Sequence, residues 1–594
     1  MRALTIGLLV ALAGCSQSYT IDGVDPVDPT DPVDPTDPVD PGHLTPPPIS
    51  GGHMELVHGG AFAIIADPDR DRLHVADLDR DTVRTILLEP GDEPGRVVED
   101  TAGRVHVALR RGGAVVSLNA DTFAIQRRRV VCANPRGIAH DPATDEVLVA
   151  CAGGSLARMG AGGGAPSLTF IEHDLRDVIV SGDRTYVTTF RSAELIRVDA
   201  GGIVDRRAPR VDTHFMFQPE GEFEGTFLPN VAWRTRPDGA GGAWMLHQAS
   251  MTETVNVTME GYSLSDLECE TGLIPVSLTH FPADGAPTTR RFKSAGLAVD
   301  FTVSSLGFFV AMPSEITEPG GGERSPIIPE PGSVFIAFSQ WEDTGNPCLR
   351  STQREFVGDE ITAVAMNGGQ FLGWDRLEAR VRRSGESDLR AVGQPTVDDP
   401  GHELFHVGTF AQMACATCHP EGREDGHTWD FSDVVRRTQT LTGGILGTEP
   451  FHWSGDQADM RAIMDETFTR RMSAPLLDDE GITQVGTWLD TLPEVASPAR
   501  DHAAAARGED AFVSEGCVDC HAGPRFTDNR SVDVGTGGAF QVPSLLGLAV
   551  RGPWLHDGCA ESLGEALAGC DGAPHGGVAD AAVRADLVAY LETL

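Results

Sequence analysis

The chain is short of positive charge. Its 594 residues carry 46 Lys and Arg against 87 Asp and Glu, a net charge of −41, which excludes nucleic acid or an anionic membrane surface as the main binding partner. Such an acidic surface suits a basic redox partner, or simply keeps an exported protein soluble. Long hydrophobic runs are also lacking. The apolar run over residues 4–12 follows Arg2 and ends in small residues before Cys15; it is too short to span a membrane permanently and reads as an export signal. Helical periodicity is scarce over residues 54–380, so that region is expected to be all-β. It also lacks a catalytic constellation. His173, His214, His247 and His280 stand isolated there, and lone histidines are more often packed or surface residues than ligands.

What the chain does contain is the pentapeptide C-x-x-C-H twice, as Cys415-Ala-Thr-Cys418-His419 and Cys517-Val-Asp-Cys520-His521. In such a motif the two thiols add across the vinyl groups of haem, and the histidine becomes the proximal ligand of the iron. A structural zinc site is the alternative, but each motif has its own adjacent His and no further Cys pair nearby. Two covalent haem c groups are therefore expected, on Cys415, Cys418, Cys517 and Cys520, with His419 and His521 beneath the irons.

The remaining cysteines fit an exported protein. Leu12-Ala13-Gly14-Cys15 resembles the lipobox of bacterial lipoproteins, which implies cleavage before Cys15 and a lipid on its thiol, a stable anchor when several acyl chains are attached. Of the eleven cysteines this leaves Cys132, Cys151, Cys269, Cys348, Cys559 and Cys570. An even remainder in an oxidising compartment implies three disulfides, and the order suggests Cys132 with Cys151, Cys269 with Cys348, and Cys559 with Cys570. Over residues 22–41 an Asp followed by Pro recurs every third position, a polyproline II spacer able to hold the body roughly 60 Å from a membrane.

At 594 residues several domains are expected. A weak repeat runs through the β region: Ile65-Ala66-Asp67-Pro68 leads to Leu73-His74-Val75-Ala76, Val98-Glu99-Asp100 to Val105-His106-Val107-Ala108, and Ile138-Ala139-His140-Asp141-Pro142 to Val147-Leu148-Val149-Ala150. That spacing is the length of one propeller blade, and about seven blades are expected, with a pair of β-sandwiches as the alternative. These units resemble the lactonase-like and YVTN-type propellers.

The haem region is internally duplicated. Gly401 to Phe405 precedes the first motif as Gly508 to Phe512 precedes the second, and both look like the opening helix of a cytochrome c fold. His419 to Trp488 and His521 to Tyr590 are each 69 residues. Pro450-Phe451-His452-Trp453-Ser454-Gly455 parallels Pro553-Trp554-Leu555-His556-Asp557-Gly558, and Met472 and His575 each follow the closing Gly by seventeen residues. Met and His are the side chains that most often complete haem c, so Met472 and His575 are candidate distal ligands.

The motifs at Ala414 to Pro420, Trp453 to Gly455, Phe540-Gln541-Val542-Pro543-Ser544-Leu545 and Arg551 to Gly558 resemble the bacterial di-haem cytochrome c peroxidase and MauG superfamily. The resemblance implies one haem that relays electrons and one that meets hydrogen peroxide, with an aromatic such as Trp453 between them and His452 and His556 at the pockets. It also brings departures. His427 resembles the family's distal His but lies closer to the motif, so it competes with Met472. Where the family's peroxidases place a Glu before the Met-like position, this chain has Arg471, and no neighbouring Glu is an obvious substitute.

The expected plan is thus a lipoprotein signal (1–14), an acidic Asp-Pro linker (15–52), a β-propeller (53–385), and two tandem all-α cytochrome c domains (386–495 and 496–594). The expected function is that of a di-haem cytochrome anchored in the cell envelope by lipid, with the outer membrane favoured. It acts as a peroxidase-like oxidoreductase with an unidentified redox partner protein. The alternatives are electron transfer alone, and a propeller-based binding module with accessory haems.

Overall fold

The computed structural model describes residues 44–594 except 219–220, 256–261, 263–264, 267, 294, 306, 315–330, 339–340, 342–346, 433, 496, 498–500, 536, 571–574 and 576. Cys15, the export signal and the Asp-Pro repeats lie outside the described residues.

The β region forms six four-stranded antiparallel sheets and one seven-stranded sheet, in a propeller-like arrangement. The first sheet, Met54–Val57, Phe62–Asp67, Arg72–Asp77 and Thr82–Leu87, shows why this sequence folds so. Its hairpins turn at Asp71 and Asp81, both at positive φ, a backbone state that Asp tolerates better than most side chains. The strands between are apolar and buried, and the last is exposed. Each repeat Asp has a partner: Asp67 meets His74 Nε2 at 3.1 Å and His74 Nδ1 meets Thr85 Oγ1 at 3.0 Å. The second sheet repeats this with Asp100, His106 and Ser117 at 2.9 and 2.8 Å. The Asp and His of each pair are buried, so they tie strands together rather than meet a substrate.

One strand from each sheet touches its counterpart in the next. The series runs through Met54–Val57, Pro94–Glu99, Pro135–Asp141, Leu175–Ser181, Gly221–Pro237, Asp300–Ser304 and Ile361–Asn367, and the last returns to the first. Gly221–Pro237 belongs to the seven-stranded sheet. Residues 44–52, grouped with the linker in the sequence, form a strap held against the sheets and α4. Arg96 and Arg176 hold the Gly51 and Ser50 carbonyls, and Trp488 Nε1 donates to the Pro46 carbonyl at 2.9 Å.

The helical C-terminal part contains α1 (Pro400–His406), α2 (Cys415–Cys418), α3 (Met460–Ile463), α4 (Asp479–Asp490), α5 (His502–Ser514), α6 (Leu563–Ala568) and α7 (Ala581–Leu591). Asp side chains cap α1, α3, α4, α5 and α7 at their N-termini, each satisfying otherwise unpaired backbone N–H groups. α1 packs on α4, and α5 on α7. The two pairs differ in their cores. Phe405, Met413, Met472 and Trp488 share one continuous cluster with propeller residues such as Met251, Phe292 and Phe301. Phe512, Leu563 and Leu587 form a separate cluster. The first unit is therefore continuous with the propeller core, which its sequence, read as a freestanding domain, did not reveal.

Cys132 with Cys151, Cys269 with Cys348, and Cys559 with Cys570 stand at disulfide distance. Among the described residues, no helix is long and apolar enough to cross a membrane.

Candidate haem sites

The second motif lies at the surface. Cys517 and Cys520 are half-buried, Val518 is exposed, and the segment follows α5 directly. His521 Nδ1 lies 3.0 Å from the Phe526 carbonyl. A carbonyl only accepts, so the proton sits on Nδ1 and the lone pair on Nε2, the arrangement that prepares an imidazole for a metal. Burial lowers the pKa of both His521 and His575, which favours the neutral, ligating form. Their ring centroids are 6.4 Å apart. Two imidazoles on opposite sides of one metal, each nitrogen about 2 Å from it, would place their centroids about 6 Å apart. His521 and His575 could thus both hold a haem iron, in a unit whose apolar cluster is covered by Phe526, Leu545 and Trp554.

The first motif is deeper. Ala416 and Thr417 are buried, and the propeller holds them: Gln248 Nε2 donates to the Thr417 carbonyl at 2.9 Å. Burial pushes the Cys415 thiol up to about 12, and burial with Asp425 raises Cys418 well above its ordinary value. Burial takes His419 down to about 4, and its buried Nδ1 has no hydrogen-bond partner. Met472 is 5% exposed and lies in the cluster that receives Cys415 and Cys418. His427 Nε2 is 3.0 Å from the Met251 carbonyl, so that nitrogen carries a proton and is committed to the propeller. Burial also lowers the His427 pKa to about 4.

The duplicated loops meet. Phe451 bridges to Gln457 and Trp554 to Ala560, and His452 and Leu555 share a positive φ, so the two segments have a common turn. Trp453 and His556, which occupy equivalent positions, face each other edge to face at 6.4 Å. Trp453 Nε1 donates to the Arg437 carbonyl at 2.7 Å, and the Arg437 N–H donates to the His556 carbonyl at 2.7 Å. Glu424 lies beneath this contact, 2.8 Å from Arg551 and 3.7 Å from Arg437. His452 is 3.3 Å from Asp456, and burial lowers its pKa.

Three residues escaped the sequence reading. Glu466 is 2.9 Å from Arg471. Residues Met464–Arg471 form a π-helix, which brings i and i+5 together, and Glu466 bonds Arg470 at i+4 as well. Tyr262, from the propeller region, places its hydroxyl 3.4 Å from Arg471 and lies near Cys418; nothing local in the sequence signals this. Glu421, two residues after His419, is buried against Arg176 at 2.6 Å and Arg110 at 3.1 Å.

No protein-family model matches this chain. The methylamine utilization protein MauG of Methylorubrum extorquens is 28% identical over 301 residues, covering 37% of this chain and 84% of that protein. Among solved structures, Kuenenia stuttgartiensis hydrazine synthase is 13% identical, with a TM-score of 0.40 over 59% of this chain and 97% of that one. Virginiamycin B lyase from Staphylococcus aureus is 10% identical, with a TM-score of 0.33 over 54% of this chain and 91% of that one. Both structural likenesses are too loose to carry an argument. In sequence this chain is similar to MauG, and its fold couples a haem-motif-bearing helical part to a propeller-like set of sheets.

Proposed function

We propose that this protein is an exported di-haem c-type cytochrome with redox activity of the peroxidase type. Haem at each motif supplies a reversible one-electron couple and, where its sixth position opens, a place for peroxide. The observation behind the haem part of this reading is the 6.4 Å separation of His521 and His575, which would let both side chains hold one iron; the peroxidase part rests on the resemblance to the di-haem peroxidase and MauG superfamily. At the first site the buried Met472 is favoured as the distal ligand, because Nε2 of His427 is already committed. Burial and ligation that differ between the sites imply different potentials. Electrons would enter at the exposed second motif from a partner protein and pass by Trp453 and His556 to the buried first one.

The repeated turns and the paired packing of α1 with α4 and α5 with α7 support two tandem cytochrome c units. The closed series of touching strands supports the seven-stranded sheet as a seventh blade. A cell-envelope location with Cys15 as lipid anchor accords with the leader.

Electron transfer alone is the second reading, favoured by Glu466. Its hydrogen bond to Arg470 is the main cause of its lowered pKa, with Arg471 adding to it. A carboxyl held ionised in this way is a poor proton donor to peroxide. Electron resonance of wild type, Met472→Ala and His575→Ala distinguishes the two. Two low-spin signals lost one at a time indicate transfer, and a high-spin signal that responds to peroxide indicates catalysis. A purified protein without covalent haem on a denaturing gel refutes both.

A further inference from the structure

The three cysteine pairs at disulfide distance differ in depth. Cys269 and Cys348 are fully buried and Cys151 is 2% exposed, so each of the first two pairs has at least one cysteine in the core. Cys559 and Cys570 are both half-buried. Thiol–disulfide exchange requires an attacking thiolate to reach a sulfur, so burial protects a pair and exposure leaves it reducible.

The position of the third pair in the chain gives its reduction a consequence. Cys559 follows His556-Asp557-Gly558, in the turn that faces Trp453, and its N–H donates to Asp557 Oδ1 at 3.3 Å. Cys570 comes eleven residues later, and five before His575. Between the two cysteines runs α6, only six residues long. A helix that short does not persist alone. Leu563 seats α6 in the core of the second unit, and the disulfide joins the chain on either side of it. Beyond His575, the Val578 N–H donates to the Leu567 carbonyl at 3.0 Å, so that anchor also lies on α6. The segment carrying His575 is fastened at both ends to one short helix, and Cys559–Cys570 staples that helix.

We propose that the Cys559–Cys570 disulfide keeps His575 near His521, and that a dithiol reductant frees His575 and so opens the sixth position at the second site; this rests on the reading of His521 and His575 as ligands of one iron. A thiolate of the dithiol attacks one sulfur and the S–S bond breaks. Its second thiol then resolves the mixed disulfide. Two electrons and two protons end on Cys559 and Cys570 as thiols, and the reductant leaves as its own disulfide. A cross-link that closes a loop of about a dozen residues favours the ordered arrangement by about a hundredfold, so its loss should free His575 in most molecules.

The test treats the intact, haem-loaded protein with dithiothreitol, alkylates it with iodoacetamide, and returns it to the ferric state with ferricyanide. Peptide mass spectrometry should find the label on Cys559 and Cys570 and not on Cys269 or Cys348. Electron resonance should show one low-spin signal replaced by a high-spin signal, which added imidazole converts back to low-spin. Cys559→Ser combined with Cys570→Ser should behave alike without reductant, and the alkylated wild type keeps the test intact if that variant fails to fold. His575→Ala separates ligation from its support. If it turns one signal high-spin while the alkylated wild type stays low-spin, the proposal is overturned and ligation by His575 stands. If His575→Ala changes no signal, ligation itself is refuted and the proposal falls with it. Labelling of Cys269 and Cys348 ahead of Cys559 and Cys570 also overturns it.

Discussion

Replacing Gly508 by Ala tests the helix crossing that closes the second haem unit. A Cβ there would collide with the Asp586 carbonyl oxygen and stand 2.7 Å from Tyr590 Cβ. Both obstacles belong to α7 and cannot swing aside like the end of a flexible side chain. Two opposed effects decide the outcome. Ala gains about 1 kcal/mol in helix propensity over Gly, while overpacking costs about 1–3 kcal/mol, and more where backbone must shift. A carbonyl collision belongs at the upper end, so a net loss of about 2 kcal/mol is expected. Gly401 faces the Gln484 carbonyl and Trp488 Cβ, the latter also at 2.7 Å, but its core is continuous with the propeller. Gly508→Ala should therefore release the C-terminal unit alone, while Gly401→Ala lowers the stability of the larger body. Proteolysis across a urea series reads both, and with a urea slope of 1–3 kcal/mol per molar the midpoint for cleavage after residue 501 should fall by about 1 M. A Gly508→Ala variant as stable as wild type, or more so, would show that propensity prevails and that α5 and α7 do not cross closely there.

Three further outcomes are expected. Glu421→Gln leaves Arg110 and Arg176 without their shared carboxylate, and breaking a buried pair on one side costs about 3–5 kcal/mol; a thermal midpoint unchanged from wild type would contradict the clamp. Burial alone would raise Asp177, but Arg96, Arg234 and Arg176 outweigh it and hold its pKa at about 2, against about 3.9 unfolded. Its contribution is complete above about pH 4 and is lost as pH falls toward about 2, so Asp177→Asn should show a shallower loss of urea resistance between pH 4 and 3 than wild type. Trp453→Phe removes the donor to the Arg437 carbonyl, for a loss of about 1–3 kcal/mol, and, on the di-haem reading proposed above, should slow electron exchange between the two sites in stopped-flow reduction without loss of covalent haem.

How much was legible depended on whether a signal was local. The two motifs, the 69-residue spacing and the paired loops are local patterns, and the turns at His452 and Leu555 bear out the internal alignment. Glu466 was missed because the sequence reading looked for a Glu directly before Met472, whereas Glu466 stands six residues earlier, on a π-helix where it meets both Arg470 and Arg471. Gln248 reaches the first motif, and Tyr262 reaches Arg471, from more than 150 residues away in the chain, and no sequence spacing encodes that.

By itself the sequence carried the expectation of covalent haem, since Cys-x-x-Cys-His is a local pattern, and it separated the β-rich from the helical part, since side-chain period and turn residues are local. It also ordered the six remaining cysteines into the pairs that stand at disulfide distance. Only the tertiary structure decided that the two motifs are unequal in depth, one gripped by the propeller and one at the surface. Burial is a property of what packs from elsewhere in the chain. The same packing commits His427 to a propeller carbonyl, sets His575 near His521, and buries Glu421 between Arg110 and Arg176.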